Sequence, residues 1–260
     1  MGTAEMQGQL WNPGARDWAE LNEPMCAPFY EAVFEAMGVG NGVTLLDAGC
    51  GGGFALHLAA KRGATLSGLD ASDGLLAVAR ERVPDADLRQ GDIEETPFAA
   101  DTFDAVTAFN SIQFTGDTVA ALRELRRVAK PAARVGIVIW GAAELCESRV
   151  ILGAIGSLLP PPPPGTPGPF AMSEPGALEA VAEQAGLAPE RVGDVPTPLI
   201  YPDLATAVRT QLSSGPARLA IEHAGEQATR EALTAAFADS RESDGSYRQD
   251  NSFRYLIARA

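Results

Sequence analysis

The stretch Leu45-Leu46-Asp47-Ala48-Gly49-Cys50-Gly51-Gly52-Gly53-Phe54 decides the reading of this chain. An apolar run from Val43 to Leu46 ends in the acid Asp47, and glycines then alternate at positions 49, 51 and 53. A helical pattern begins directly after them. Strand, tight loop and helix in that order let a ligand lie against bare backbone at a helix N-terminus. The dinucleotide pattern Gly-x-Gly-x-x-Gly requires a third glycine at position 54, where Phe54 stands. The motif present is Asp-x-Gly-x-Gly-x-Gly.

The sequence downstream extends this pattern. Strand-like Thr65-Leu66-Ser67-Gly68-Leu69 ends in Asp70, 21 residues after Gly49. An acid at about that distance, closing the second strand, is placed to bind both hydroxyls of a ribose. Ser72 then caps a helix carrying Leu75, Leu76, Val78, Ala79 and Val83, stopped by Pro84. Gly91-Asp92-Ile93-Glu94-Glu95-Thr96-Pro97-Phe98 comes next, then Asp101 to Val106 as a fourth strand and Glu124 to Pro131 as its helix. These segments, in this order, resemble class I S-adenosylmethionine (SAM)-dependent methyltransferases. The likeness is to small-molecule enzymes related to the ubiquinone/menaquinone biosynthesis group.

The resemblance implies an α/β fold: a Rossmann-like, mainly parallel seven-stranded sheet with helices on both faces. It further implies SAM as cofactor and a small-molecule methyl acceptor. Cofactor contacts are then expected from Asp47, Gly49, Gly51, Gly53, Asp70 and Ala71, and from Asp92 and Ile93 at the adenine. Phe109 and Asn110, at the end of strand four, would meet the methionine portion.

Composition bounds the alternatives. At 260 residues the chain suffices for one α/β domain with an elaboration. A net charge of −14 argues against nucleic acid, which draws on clustered Lys and Arg. Met1 to Pro24 holds charges and no apolar core, so no signal peptide is expected; Met6 replaces the Ser or Thr of a myristoylation site. No run has the length of a membrane span. Cys26, Cys50 and Cys146 are odd in number and dispersed, as expected of reduced thiols in a cytoplasmic protein. No metal site is expected.

Along the chain, residues 1–40 form an N-terminal helical lid in which Trp11, Trp18, Leu21, Met25, Phe29, Val33 and Met37 recur at helical spacing. Residues 41–202 carry the SAM-binding core, with a fifth strand from Val135 to Trp140. The preceding helix is capped by Asp117 and ended by Pro131. A helix near Glu144 to Ser157 leads into Pro160 to Pro164, an extended bridge between core and cap. Pro175 opens another helix, ended at Gly186, and Arg191 to Tyr201 reads as one strand. Residues 203–243 are a helical cap insertion, and residues 244–260 return as the final antiparallel strand.

Methyl transfer asks for alignment and exclusion of water, and for a base only when the acceptor is weakly acidic. His57 reads as structural. His223, in the cap, is the one weak catalytic candidate. Trp18 either closes over the sulfonium or packs the core. Gln113, Phe114 and Trp140 lie near strand carboxyl ends and are the acceptor-side candidates, with core packing the alternative for Trp140.

Two departures stand out. The family's Lys-Pro-Gly-Gly turn reads Lys130-Pro131-Ala132-Ala133, which asks for a less strained turn, and the quinone enzymes' Tyr-Asp-x-Met-Asn signature is missing. No tyrosine has Lys four positions later, as short-chain dehydrogenases require. The remaining alternative is a non-methylating SAM-fold protein, a sensor or a SAM-assisted enzyme.

Overall fold

The computed structural model describes residues 2–162 and 168–260; the Pro160–Pro164 bridge lies partly outside the described residues. Among the described residues a seven-stranded sheet runs in the order β3-β2-β1-β4-β5-β9-β6. Its strands are β1 (Thr44–Ala48), β2 (Thr65–Asp70), β3 (Asp87–Gln90), β4 (Phe103–Phe109), β5 (Ala129–Trp140), β6 (Ala188–Pro196) and β9 (Ser252–Arg259). Only β9 runs against the rest, wedged between β5 and β6. The chain steps outward from β1 to β3, then returns to the other side of β1 with β4. That reversal opens a crevice at the strands' carboxyl ends.

Two apolar layers hold helices on the sheet. On one face α6 (Thr118–Val128) buries Leu122, Leu125 and Val128 against Leu46, Val106 and Val135. Burying each such side chain contributes roughly 1.5–3 kcal/mol. Asp117 caps α6 by accepting the Ala120 amide at 3.0 Å, and Ser72 caps α5 (Asp73–Arg82) by accepting that of Leu75 at 3.1 Å. On the other face α3 (Ala27–Met37) packs Phe29, Val33 and Phe34 near Leu45, Val138 and Ile257. Its place is thus in the sheet's own core. The lead-in proper comprises α1 (Ala4–Trp11), the short α2 (Ala15–Asp17), a π-helical turn at Trp18–Asn22 and a 3-10 turn at Glu23–Cys26.

A third apolar cluster belongs to the cap, built from α9 (Leu204–Leu212), α10 (Gly215–Ala224) and α11 (Glu226–Ala236). It also recruits Ile151 and Ile155 of α7 (Arg149–Ser157), with Leu199 and Tyr201 of β7 (Leu199–Tyr201). β7 pairs with β8 (Tyr247–Gln249) in a separate ribbon. The expected single strand from Arg191 to Tyr201 is therefore two, because Pro196 and Pro198 cannot donate to a continuing ladder. The expected helix at Glu144 begins only at Arg149, after a 3-10 turn at Ala143–Leu145.

The turn before β5 also differs from expectation. The helix ends at Val128, three residues before Pro131, and β5 continues directly from it. Its pairing shifts from Phe103 opposite Ala129 to Ala105 opposite Arg134. Ala132 bulges out at φ 62°, so the turn keeps a left-handed residue although the glycine is gone.

Candidate functional site

A cavity opens at the carboxyl ends of β1, β2 and β4, roofed by the lead-in and the cap. It contains about 1330 Å³ of space free of protein atoms, part of it continuous with solvent. Its floor is the glycine loop. The amides of Gly49 and Cys50 both donate to Leu69 O, at 2.7 and 2.9 Å, which folds the loop back over β2. Gly49 has φ +80°, and a Cβ there would overlap the Ser111 side chain, whose hydroxyl donates to Ala48 O at 2.7 Å. No other residue fits that position.

Asp70, ending β2, accepts the Gly51 amide on Oδ2 at 2.8 Å and the Ser72 amide on Oδ1 at 2.9 Å. Desolvation pushes its pKa up, and these amides oppose that shift. Each oxygen retains a lone pair, together the number a vicinal diol needs.

Asp47 is buried and accepts the Thr107 hydroxyl at 2.8 Å; burial pushes its pKa up to about 7. A further carboxylate comes from the lead-in. Glu23 is 4% exposed, accepts the Gly52 amide at 2.6 Å and pairs with Arg82 at 2.5 Å. Burial outweighs the guanidinium and pushes Glu23 up to about 7. Arg82 also donates to Gly52 O at 2.7 Å and Ala19 O at 2.8 Å, tying α5, the loop and the lead-in together.

At the far end, Asp92 and Ile93 line the cavity, and Asp92 Oδ1 accepts the Glu94 amide at 2.9 Å. Gly2 lies directly against the Asp92 carboxylate, and the Thr3 hydroxyl donates to Phe114 O. The lead-in therefore covers this end. Asn12 fastens it by accepting the Ser72 hydroxyl at 2.6 Å and the Gly74 amide at 2.9 Å.

A smaller side chamber, of about 410 Å³ free of protein atoms and partly open to solvent, adjoins the opposite end. Its walls come from Trp18, Asn22 and Cys26 of the lead-in, Asn110 after β4, Trp140 at the end of β5, and Gln211 of α9. The π-helical turn carries Trp18 and Asn22 into this wall together; such turns recur at functional sites. Asn110 holds φ 52°, a left-handed conformation asparagine tolerates, and its Oδ1 accepts Gln113 Nε2 at 2.6 Å.

Of the residues expected from sequence, Trp18, Asp47, Gly49, Gly51, Asp70, Ala71, Asp92, Ile93, Phe109, Asn110, Phe114 and Trp140 line the cavity. Three do not. Gly53 turns toward Ala79 of α5 and Val83 at its C-cap, where it serves helix packing. Gln113 lies behind Asn110 and outside the cavity lining. His223 is exposed in the last turn of α10, away from the cavity. Phe114 lines the main cavity, edge-on to Trp11 at 5.7 Å, but is outside the side chamber. Glu23, Asn22, Tyr30 and Gln211 also line the cavity and are not among the site residues expected from the sequence. A signal existed for Asn22: it continues the i, i+4 stripe from Trp18 to Cys26, a polar residue on an apolar face.

Comparison with known proteins agrees with this architecture. Residues 46–137 match the model of the methyltransferase domain family. The first curated relatives are uncharacterized proteins of Mycobacterium, 33% identical over 135 residues, and the chain spans about half their length. A malonyl-[acyl-carrier protein] O-methyltransferase of Erwinia pyrifoliae is 29% identical, over 73% of this chain and 68% of its own. A demethylmenaquinone methyltransferase of Mycolicibacterium paratuberculosis is 40% identical over 40% of this chain and 45% of its own. Among solved structures, the [4+2]-cyclase SpnF superposes with a TM-score of 0.58 at 21% identity, covering 89% of this chain and 80% of its own. Residues 46–137 thus match a methyltransferase domain, and the described residues share the fold of solved structures such as that cyclase.

Proposed function

We propose that the chain transfers a methyl group from SAM to an O, N or C atom of a small-molecule metabolite. The observation that carries this reading is Asp70: a cavity-lining carboxylate that orders the glycine loop and keeps two lone pairs for a ribose diol. The cavity fits the cofactor's charge as well. Glu23, Asp47, Asp70 and Asp92 line it, and among the described residues no Lys, Arg or His does. SAM, with a sulfonium, an ammonium and a carboxylate, is a net cation.

In this reading Asp70 binds the ribose and Ala71 lies beside it, while Asp92 and the Ile93 amide hold the adenine. Gly49 and Gly51 give backbone room to the methionine portion, with Glu23 meeting its ammonium and Phe109, Asn110 and Trp18 closing the methyl-bearing end. The cofactor supplies a methyl group already activated by its sulfonium. The lead-in up to Cys26 acts as a lid and the helices from Leu204 as a cap, excluding water and aligning the acceptor. The three cysteines are unpaired and buried, which supports a reducing, cytoplasmic setting. No described helix is long and apolar enough to cross a membrane. The negative charge speaks against a nucleic-acid partner.

The test is incubation with methyl-labelled SAM and small-molecule extracts, read by mass spectrometry, beside calorimetric titration with SAM. Transfer of label to a small molecule is the expected result. SAM binding without transfer to any acceptor would favour a second reading, a non-methylating reaction, of which the cyclase neighbour is a named instance on this fold.

A further inference from the structure

The side chamber differs in chemistry from the cofactor cavity it joins. Its wall contains no charged side chain among the described residues. Ile151, Leu152, Leu199 and Phe253 make much of it apolar. Three amides, Asn22, Asn110 and Gln211, and the Ser148 hydroxyl interrupt that surface. Asn22 donates one N–H of its Nδ2 to Cys26 Sγ at 3.7 Å, and Gln211 one N–H of its Nε2 to the Tyr201 hydroxyl at 3.0 Å, while Asn110 Oδ1 accepts Gln113 Nε2 and the Ser148 hydroxyl donates to Gln249 Oε1. Among the described residues no donor reaches Asn22 Oδ1 or Gln211 Oε1, and neither atom is sealed from the cavity. Both oxygens are therefore open to a hydroxyl or N–H of a ligand. The adjoining cavity is lined by carboxylates and, among the described residues, by no Lys, Arg or His, which disfavours an anion.

We propose that this chamber selects an uncharged, largely apolar acceptor carrying a hydroxyl or N–H group, held by Asn22 and Gln211, and rejects anionic acceptors. The proposal rests on the methyl-transfer reading for the name "acceptor", but the preference itself belongs to the chamber. Asn22 comes from the lid and Gln211 from the cap, so a molecule bridging them also draws the two roofs together. Trp18 and Trp140 supply aromatic walls for a ring.

The test uses a matched pair of probes, 2-naphthol and 2-naphthoate, titrated by tryptophan fluorescence with and without S-adenosylhomocysteine. 2-Naphthol should bind at least about tenfold more tightly, a gap of one decade in dissociation constant. Asn22→Leu and Gln211→Leu should each weaken 2-naphthol by roughly fivefold or more, and Gln211→Arg should shift preference toward 2-naphthoate by about tenfold. Thermal unfolding of each variant separates lost binding from lost fold, and Gln211, half-buried on the cap, is the safer site if Asn22→Leu unfolds. Equal binding of the two probes, or folded Gln211 variants that bind both as the unaltered chain does, overturns the proposal. Calorimetry with SAM reads the broader reading separately. If SAM fails to bind while 2-naphthol is still preferred, the methyl-transfer reading falls and the chamber's selectivity stands.

Discussion

The Glu23 carboxylate of the lead-in accepts the Gly52 amide at 2.6 Å, so a residue 29 positions upstream completes the glycine loop. Loop and lid are consequently one structure. Moving the lead-in away from the cavity must break this bond and the Glu23–Arg82 pair, leaving the half-buried Arg82 guanidinium without its partner. The geometry couples docking of the lead-in to the order of the glycine loop.

Glu23→Gln should separate charge from shape at this junction. The amide can still accept from Gly52 but offers no negative charge to an ammonium. SAM affinity should fall several-fold, read by calorimetry, with the fold retained. An unchanged affinity would remove Glu23 from the cofactor site.

The pH dependence arises from two carboxyls raised by burial, Glu23 and Asp47, each up to about 7. The folded state holds their protons more tightly than the unfolded chain does. Their contribution to stability is therefore fully present below about pH 4 and lost as pH rises toward 7. A bound cation favours their charged forms. SAM binding should thus tighten from pH 6 to pH 8 with net proton release, measurable by calorimetry in buffers of different ionisation enthalpy. In Glu23→Gln this dependence should flatten.

Asp70→Ala removes the proposed diol contacts and also orphans the Gly51 and Ser72 amides. Two charge-assisted bonds at roughly 1.5–3 kcal/mol each predict at least a hundredfold loss of SAM affinity. Titration showing a loss of less than about fivefold would falsify the assignment.

Gly8→Ala tests the lid. A Cβ at Gly8 would lie 2.5 Å from Ala71 O, a backbone atom that cannot yield. α1 should undock, residues 4–26 should become more sensitive to proteolysis, and SAM should bind more weakly. The sheet itself should stay folded by circular dichroism.

Ala132→Gly should stabilise the chain. A left-handed alanine costs about 1–2 kcal/mol, of which glycine recovers part after its own entropy loss. A gain of about 1 kcal/mol, or about 2–3 °C in Tm, is expected. His223→Ala, at an exposed helix end, should leave the maximal rate within about twofold.

What the chain's order of residues determined by itself was local or periodic. Asp47 to Gly53, Asp70 and Asp92 carry their meaning in spacing along consecutive strand–loop–helix units, and the caps Ser72 and Asp117 act within one turn. Most cofactor-side residues named from that spacing line one cavity for this reason. The failures share the opposite cause. Gly53 sits in the motif, yet its facing depends on how α5 packs; Gln113 comes after the right strand, yet a 3-10 turn at Ile112–Phe114 leaves it outside the cavity lining while Phe114 lines it. Glu23, Arg82, Asn22 and Gln211 meet the site across separations that no periodicity encodes. Only tertiary packing, which folds the lead-in onto α5 and the cap onto both, decides that a glutamate before Pro24 finishes the glycine loop and that two distant amides share one chamber.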